Sequence, residues 1–115
     1  MSASLALKKC IPCEAGAPPL KKEQIEKYLS ELITAWEVIE GTGGAYGTKI
    51  KKKFKFSDFK KSMQFVNKVA DIADQEQHHP DIYIFYSKVT IELWTHAIGG
   101  LSENDFIMAT KIENI

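Results

Sequence analysis

The chain has 115 residues, 44% of them hydrophobic, and its 15 basic and 15 acidic side chains give a formal net charge of zero. This length predicts one domain that can bury a core without disulfides or metal. The balanced charge argues against a protein dedicated to nucleic acid or to anionic membranes. The first residues lack the order of a signal peptide, and no apolar run approaches the roughly 20 residues of a membrane span. We therefore expect a cytoplasmic protein.

Residues 1–19 are predicted to form a flexible arm that precedes a single domain over residues 20–115. The arm contains Cys10 and Cys13, followed by a run rich in glycine and proline. One Cys-x-x-Cys pair is a weak metal signal, because structural zinc sites normally use four ligands. A thioredoxin-like redox motif is expected between a strand and a helix, and this pair lies in the arm. We expect no essential chemistry there, with metal capture through an oligomer as the alternative.

The first half of the domain is predicted to contain a helix followed by two strands. The helix begins at Lys21, and its apolar residues recur at steps of three and four: Ile25, Tyr28, Leu29, Leu32, Ile33 and Trp36. A short strand over residues 36–39 and a glycine-rich hairpin loop follow. Residues 49–56 alternate, with Ile50, Phe54 and Phe56 on one face and Lys49, Lys51, Lys53 and Lys55 on the other. This period of two predicts a half-buried strand with a solvated lysine face, and nucleic-acid binding through the lysines is the less favoured alternative.

The second half is predicted to contain a helix, a hairpin and a final helix. Ser57 and Asp58 can cap a helix over residues 57–76, whose core stripe we assign to Phe59, Met63, Val66, Ala70 and Ala73. Two β-rich runs, 82–86 and 89–96, are joined at Ser87 and Lys88, with Val89, Ile91 and Leu93 on one face. Ser102 and Asp105 form a capping box for the last helix. The fold class is therefore α+β: a four-stranded antiparallel sheet with three helices on one face, in the order α-β-β-α-β-β-α.

All three histidines of the chain, His78, His79 and His96, fall within residues 74–105. Because Pro80 disfavours helical geometry at His79, the preceding helix should end near the histidine pair. A hairpin returns the chain to its start, so His96 should lie near the same level. Histidine titrates near neutrality, and acid–base chemistry is therefore our favoured interpretation. A three-histidine zinc site and purely structural histidines stay open as alternatives, and no plausible nucleophile accompanies them.

The residues around these histidines resemble the signature of the pterin-4a-carbinolamine dehydratase family. That signature has an acidic residue, three further residues, His-His-Pro, an aromatic-rich hairpin, Thr-His, Gly-Leu-Ser/Thr and an Asp. The matching positions here are Asp74, His78, His79, Pro80, residues 83–86, Thr95, His96, Gly100, Leu101, Ser102 and Asp105. The similarity extends back through residues 54–71 and more faintly to Trp36, and the arm is similar to those of some bacterial members.

The resemblance implies a hydro-lyase that dehydrates 4a-hydroxytetrahydropterin to quinonoid dihydropterin and so recycles the cofactor of aromatic amino acid hydroxylases. It implies that His78 and His96 are the acid–base pair and that His79 mainly binds and orients the pterin. The other implied positions are substrate contacts at Gln77, Trp94 and Thr95, and supporting roles for Asp74, Pro80 and Asp105. No metal or organic cofactor is implied.

The resemblance also implies partners, and the sequence departs from the family pattern at two places. We expect a homo-oligomer, a dimer or a tetramer, and an aromatic amino acid hydroxylase is a candidate partner. Trp94 stands where the family usually has a small polar residue, and the loop 41–48 looks longer than is typical. The rival hypothesis is a non-catalytic regulator of a hydroxylase or a transcription factor, since a fold alone does not carry a function.

Overall fold

The computed structural model describes residues 2–12, 16–41 and 44–115. Its helices and strands, in chain order, are α1 (Ser2–Leu7), α2 (Lys22–Leu29), β1 (Glu37–Gly41), β2 (Gly44–Lys55), α3 (Phe59–Glu76), β3 (Asp81–Phe85), β4 (Lys88–Leu93) and α4 (Glu103–Glu113). The predicted α+β class and the four-stranded antiparallel sheet are confirmed. The helix α1 within the arm is an addition to the three predicted helices.

The four strands form one sheet in the order β1-β2-β4-β3, with every neighbouring pair antiparallel. The central strand β4 buries Val89, Ile91 and Leu93 completely, as the alternation predicted. Helices α3 and α4 both contact this strand, and they close the core over its buried face. The chain continues from β4 directly to Thr95 and His96. These two residues therefore lie beside α3 and α4.

The first predicted helix is shorter than the apolar pattern suggested. Helix α2 ends at Leu29, and Ile33 is exposed whereas Trp36 is buried after a turn. The backbone N–H groups of Ile33 and Thr34 donate to the carboxylate of Glu113, at 3.2 and 2.8 Å, instead of to carbonyls one helical turn earlier. This long-range contact replaces the helical hydrogen bonds, so the prediction that the stripe continues in one helix was wrong.

The core stripe of α3 also differs from the prediction. Its buried residues are Ser62, Phe65, Val69 and Ala73, at steps of three, four and four. Phe65 packs against Phe54 and Phe56, with ring centroids 4.7 and 5.0 Å apart. Phe59 instead is exposed and stacks on Tyr86 at the edge of the domain, with centroids 6.4 Å apart. Of the predicted stripe, Ala73 is buried and Val66 packs partly buried against the core, whereas Phe59 and Ala70 are exposed, so the stripe was right only in part.

The two ends of α3 follow the predicted capping. Oδ1 of Asp58 accepts from the Lys61 N–H at 2.8 Å, which satisfies one unpaired donor at the helix start. At the other end Gln77 adopts a left-handed conformation, with φ of 54°, and ends the helix three residues before Pro80.

The hairpin turn lies at Tyr86 and Ser87, one residue earlier than predicted, and β4 ends at Leu93 rather than at residue 96.

Candidate active site

His78 leaves the end of α3 directed at the start of α4. Its Nε2 lies 2.7 Å from Oδ1 of Asp105, a side chain that is 0% exposed. Oδ2 of the same carboxylate accepts from the Thr95 hydroxyl at 2.8 Å and from the Ser102 backbone N–H at 3.0 Å. A carboxylate can only accept hydrogen bonds, so Nε2 of His78 carries a proton and the neutral ring keeps Nδ1 as its acceptor atom.

The Thr95 hydroxyl extends this network by one step. Its oxygen lies 2.7 Å from Oγ of Ser102 and 2.8 Å from Oδ2 of Asp105. Because the hydroxyl proton is donated to the carboxylate, the Ser102 hydroxyl donates to Thr95. The family resemblance implied a substrate contact for Thr95; in the structure this side chain is 4% exposed and its hydroxyl donates to Asp105.

His79 lies on the exposed side of the same turn. Its Nε2 is 3.0 Å from Oδ1 of Asp74, one turn earlier in α3, and both side chains are mostly exposed. The Gln77 amide donates to the Asp74 carbonyl at 2.7 Å and faces the same side. Asp74 therefore orients the imidazole of His79, while Asp105 holds that of His78. Even a charged pair as exposed as this one would contribute only about 0–1 kcal/mol to stability.

His96 stacks on the indole ring of Trp94, with centroids 3.8 Å apart and planes inclined by 27°. Nε1 of Trp94 donates to Oδ2 of Asp81 at 3.2 Å, which ties the indole to the first residue of β3. The ammonium group of Lys49 lies 5.4 Å from the centre of the same indole, within reach of a cation–π interaction. Trp94 thus supplies an aromatic surface for His96.

An open cleft of about 650 Å³ collects these groups. Its lining residues are Cys10, Ile11, Pro12, Gln75, Glu76, Gln77, His78, His79, Trp94, Thr95, His96, Ala97 and Asn104. The prediction that the three histidines share one neighbourhood is confirmed. Of the supporting residues, Pro80 follows His79 directly into β3, and Asp74 and Asp105 each lie behind one histidine.

The part of this cleft that the arm residues and their hydrogen-bond partners supply was not predicted from the sequence. Cys10, Ile11 and Pro12 line it, and so do Glu76 and Asn104. The Cys-x-x-Cys pattern that includes Cys10 does not indicate this position, because the contacts of Cys10 join positions 66 and 94 residues apart. Asn104 lies inside the predicted capping box between Ser102 and Asp105, and no sequence pattern indicates that its amide binds Ile11.

The thiol of Cys10 is poorly suited to nucleophilic chemistry. Burial is the main cause that raises its pKa, with the negative charges of Glu76 and Asp105 adding to the effect, from 9.0 to about 12. Its predicted partner Cys13 lies outside the described residues. Within residues 2–12, 16–41 and 44–115, no group of three or more His, Cys, Asp or Glu side chains is arranged to hold a metal ion.

Comparison with known protein families shows the family to which the chain belongs. A family model described as pterin 4 alpha carbinolamine dehydratase matches residues 18–115. The chain belongs to this family. A relative from Rickettsia canadensis, named as a candidate pterin-4-alpha-carbinolamine dehydratase, is 52% identical over 110 residues, covering 96% of this chain and 95% of the relative. A similarly named protein from Alkaliphilus metalliredigens is 42% identical over 96% of this chain and 94% of its own length.

Solved structures agree with this membership of the dehydratase family. A crystal structure from Brucella melitensis, described as a transcriptional coactivator/pterin dehydratase, has a TM-score of 0.72 and 29% identity, covering 84% of this chain and 96% of its own. A pterin dehydratase-like RuBisCO assembly factor of the alpha-carboxysome has a TM-score of 0.59 at 17% identity over 71% of this chain and 89% of its own, a likeness of fold alone. The predicted family and enzyme class, a dehydratase, are confirmed.

No helix in the described part of the chain is long and apolar enough to cross a membrane.

Proposed function

We propose that the protein dehydrates 4a-hydroxytetrahydropterin to quinonoid dihydropterin, with histidines as general acid and base. The observation that carries this proposal is the pairing of His78 with the buried Asp105, at 2.7 Å, in a cleft that also contains His79 and His96. The cleft volume of about 650 Å³ suits a bicyclic pterin, because small-molecule sites typically enclose roughly 300–1,000 Å³.

His78 is the proposed proton acceptor. The C4a=N5 bond can form only when N5 of the pterin loses its proton, which needs a base beside the ring. With Nε2 held by Asp105, the neutral imidazole offers Nδ1 for that proton, and the buried carboxylate then stabilises the imidazolium. Thr95 and Ser102 act through Asp105 as positioning residues, since both donate hydrogen bonds to its Oδ2.

His96 is the proposed proton donor. The C4a–O bond breaks heterolytically, and the 4a-hydroxyl leaves as water once the imidazolium of His96 has protonated it. One proton is taken from N5 and one is delivered to oxygen, so the reaction is balanced without a redox partner. The stack on Trp94 limits the ring orientations available to His96, which keeps its donor near one position.

The remaining cleft residues fit roles in substrate binding. His79, oriented by Asp74, and the amide of Gln77 supply polar groups on the exposed side of the cleft. Trp94 supplies an indole to the cleft lining beside His96, an apolar surface that an aromatic ligand can contact. Neither a metal nor an organic cofactor takes part in this scheme, because proton transfer alone completes the dehydration.

The proposed biological role is the recycling of the pterin cofactor of aromatic amino acid hydroxylases by a cytoplasmic homo-oligomer. The alternative is a non-catalytic partner protein, which the description of the Brucella melitensis structure as a transcriptional coactivator favours. The two functions differ in their dependence on His78 and His96. The alternative predicts that alanine at both positions leaves the cellular role intact, whereas the dehydratase proposal predicts its loss.

The decisive experiment is stopped-flow measurement of the dehydration of chemically generated 4a-hydroxytetrahydropterin. Wild type should accelerate it, and His78→Ala and His96→Ala should each lower kcat by about 10²–10⁴-fold. His79→Ala is the matched control: it removes an imidazole from the same turn and should raise KM with little change in kcat. If wild type and the double variant both match the uncatalysed rate, the dehydratase proposal is wrong.

A further inference from the structure

The arm residues that line the cleft lie outside the part of the chain that the family model matches. That match begins at residue 18, whereas Cys10, Ile11 and Pro12 line the cleft beside the histidines. We name residues 10–12 the N-terminal strap. The relatives from Rickettsia canadensis and Alkaliphilus metalliredigens match over 96% of this chain, so part of the region before residue 18 is shared with them.

The N-terminal strap is hydrogen-bonded to two buried side chains. The Asn104 amide makes a reciprocal pair with Ile11: Oδ1 accepts from the backbone N–H at 3.1 Å, and Nδ2 donates to the carbonyl at 2.6 Å. The backbone N–H of Cys10 donates to Oε1 of Glu76 at 2.8 Å. Asn104 is 4% exposed, so its amide is committed to this contact and has little access to solvent.

These two anchors belong to the elements that hold the proposed base. Glu76 is the last residue of α3, two positions before His78, and Asn104 directly precedes Asp105 in α4. The N-terminal strap therefore spans the junction at which His78 meets Asp105. Helix α1, which precedes the N-terminal strap, also contacts α4. Leu5 is buried in the core, and Nζ of Lys111 in α4 donates to the Ala6 carbonyl at 2.8 Å.

We infer that the N-terminal strap is a wall of the substrate cleft and that Ile11 is a specificity-determining residue. The inference rests on the proposed function. The Ile11 side chain is 69% exposed although its backbone is pinned by Asn104, so an apolar surface is held at the cleft without being covered by protein. Burying that surface against the substrate is favourable, because apolar area is removed from water.

A contact of this kind acts on binding and not on the chemical step. It is equal in the ground state and the transition state, so its loss raises KM and leaves kcat nearly unchanged. The substituent at C6 is bonded beside N5 but extends outward from the ring, and in biopterin its outer end is an apolar methyl group. Ile11 should therefore distinguish a pterin with a three-carbon C6 side chain from one with a methyl group.

The test measures kcat and KM for Ile11→Ala with the 4a-hydroxy forms of tetrahydrobiopterin and of 6-methyltetrahydropterin. We expect KM to rise about three- to tenfold for the first and less than about twofold for the second, with kcat within about twofold of wild type. Leu7→Ala is the matched control, because Leu7 is an equally apolar arm residue, 85% exposed and absent from the cleft lining. It should change neither constant.

A second variant and a second readout separate this inference from the proposed function. Asn104→Ala removes both hydrogen bonds to Ile11 and should raise KM in the same direction, with folding checked by thermal melting. Equilibrium binding of 7,8-dihydrobiopterin, followed by tryptophan fluorescence, should weaken in Ile11→Ala. An inactive wild type overturns the proposed dehydration. Weaker binding of 7,8-dihydrobiopterin to Ile11→Ala would then still support the inference that the N-terminal strap is a wall of the cleft. An active wild type with unchanged KM and binding in Ile11→Ala overturns the inference alone.

Discussion

Nε2 of His78 and Oδ1 of Asp105 lie 2.7 Å apart, although the two residues are separated by 27 positions in the chain. The other oxygen of the carboxylate accepts from the Ser102 backbone N–H, which can only donate. One carboxylate therefore sets the proton position on an imidazole and is itself held by the first turn of α4. The tautomer of the His78 imidazole is therefore set by a side chain that is itself fully buried.

Asp105→Asn should abolish most of the activity while preserving the shape of the site. The Ser102 N–H requires an oxygen at the Oδ2 position, so the new amide group must face His78 and donate to its Nε2. The proton then sits on Nδ1, and the ring no longer offers a base to the cleft. We expect kcat to fall by about 10²–10⁴-fold in stopped-flow assays.

Asp74→Asn is the control for this prediction, because it changes the exposed carboxylate that pairs with His79. It should change kcat by less than about threefold, as exposed ion pairs are weak. A kcat for Asp105→Asn within twofold of wild type, in a protein with a normal thermal melt, would contradict the role given to His78.

Trp94→Ala should lower activity through His96. The substitution removes the ring that stacks on the imidazole at 3.8 Å, so His96 gains rotational freedom and spends less time in a productive orientation. We expect kcat/KM to fall by about tenfold. Trp94→Phe keeps an aromatic face and loses only the hydrogen bond to Asp81, so it should retain most of the activity. Equal losses in the two variants would show that stacking does not position His96.

The Cys10 thiol should resist alkylation in the folded protein. Burial raises its pKa from 9.0 to about 12, so at pH 8.5 far less of it is thiolate than in an ordinary cysteine. In a Cys13→Ser background, iodoacetamide should react about a hundredfold or more slowly with folded than with denatured protein. Comparable rates in the two states would contradict the burial of this thiol.

The same raised pKa has a consequence for stability at high pH. The unfolded thiol ionises near pH 9, whereas the folded thiol keeps its proton up to about pH 12. Stability from this group is therefore fully present below pH 9 and is lost as the pH rises from 9 to 12. Cys10→Ala should flatten that part of the pH dependence of unfolding, measured by denaturant titration.

The exposed edge strand β3 should take part in the expected homo-oligomer. Within the described residues it pairs only with β4, and the large side chains of Tyr83, Ile84 and Phe85 are exposed on it, as is Tyr86 in the following turn. An apolar sheet edge favours pairing with another chain. Sedimentation should give a dimer or larger species for wild type and a smaller mass for Phe85→Glu. Leu7→Glu, at another exposed apolar position, should leave the mass unchanged, and a monomeric wild type would contradict the prediction.

Local sequence patterns were sufficient for the order of the elements from α2 to α4 and for the neighbourhood of the histidines. The alternation of Val89, Ile91 and Leu93 has a period of two, which only a half-buried strand satisfies. Asp58, Ser102 and Asp105 mark helix starts through hydrogen bonds within three residues, so their signal is local as well. The spacing around the histidines, compared with a known family, identified the enzyme class.

The tertiary structure decided what depends on contacts between distant residues. Helix α2 ends early because Glu113 takes the N–H groups of Ile33 and Thr34, about 80 positions away in the chain. Thr95 faces Asp105 because α4 packs beside the end of β4, and Ile11 reaches the cleft because Asn104 holds it. Periodicity and capping motifs report on neighbours within one or two turns. They carry no information on which buried polar group, far along the chain, completes a given hydrogen bond.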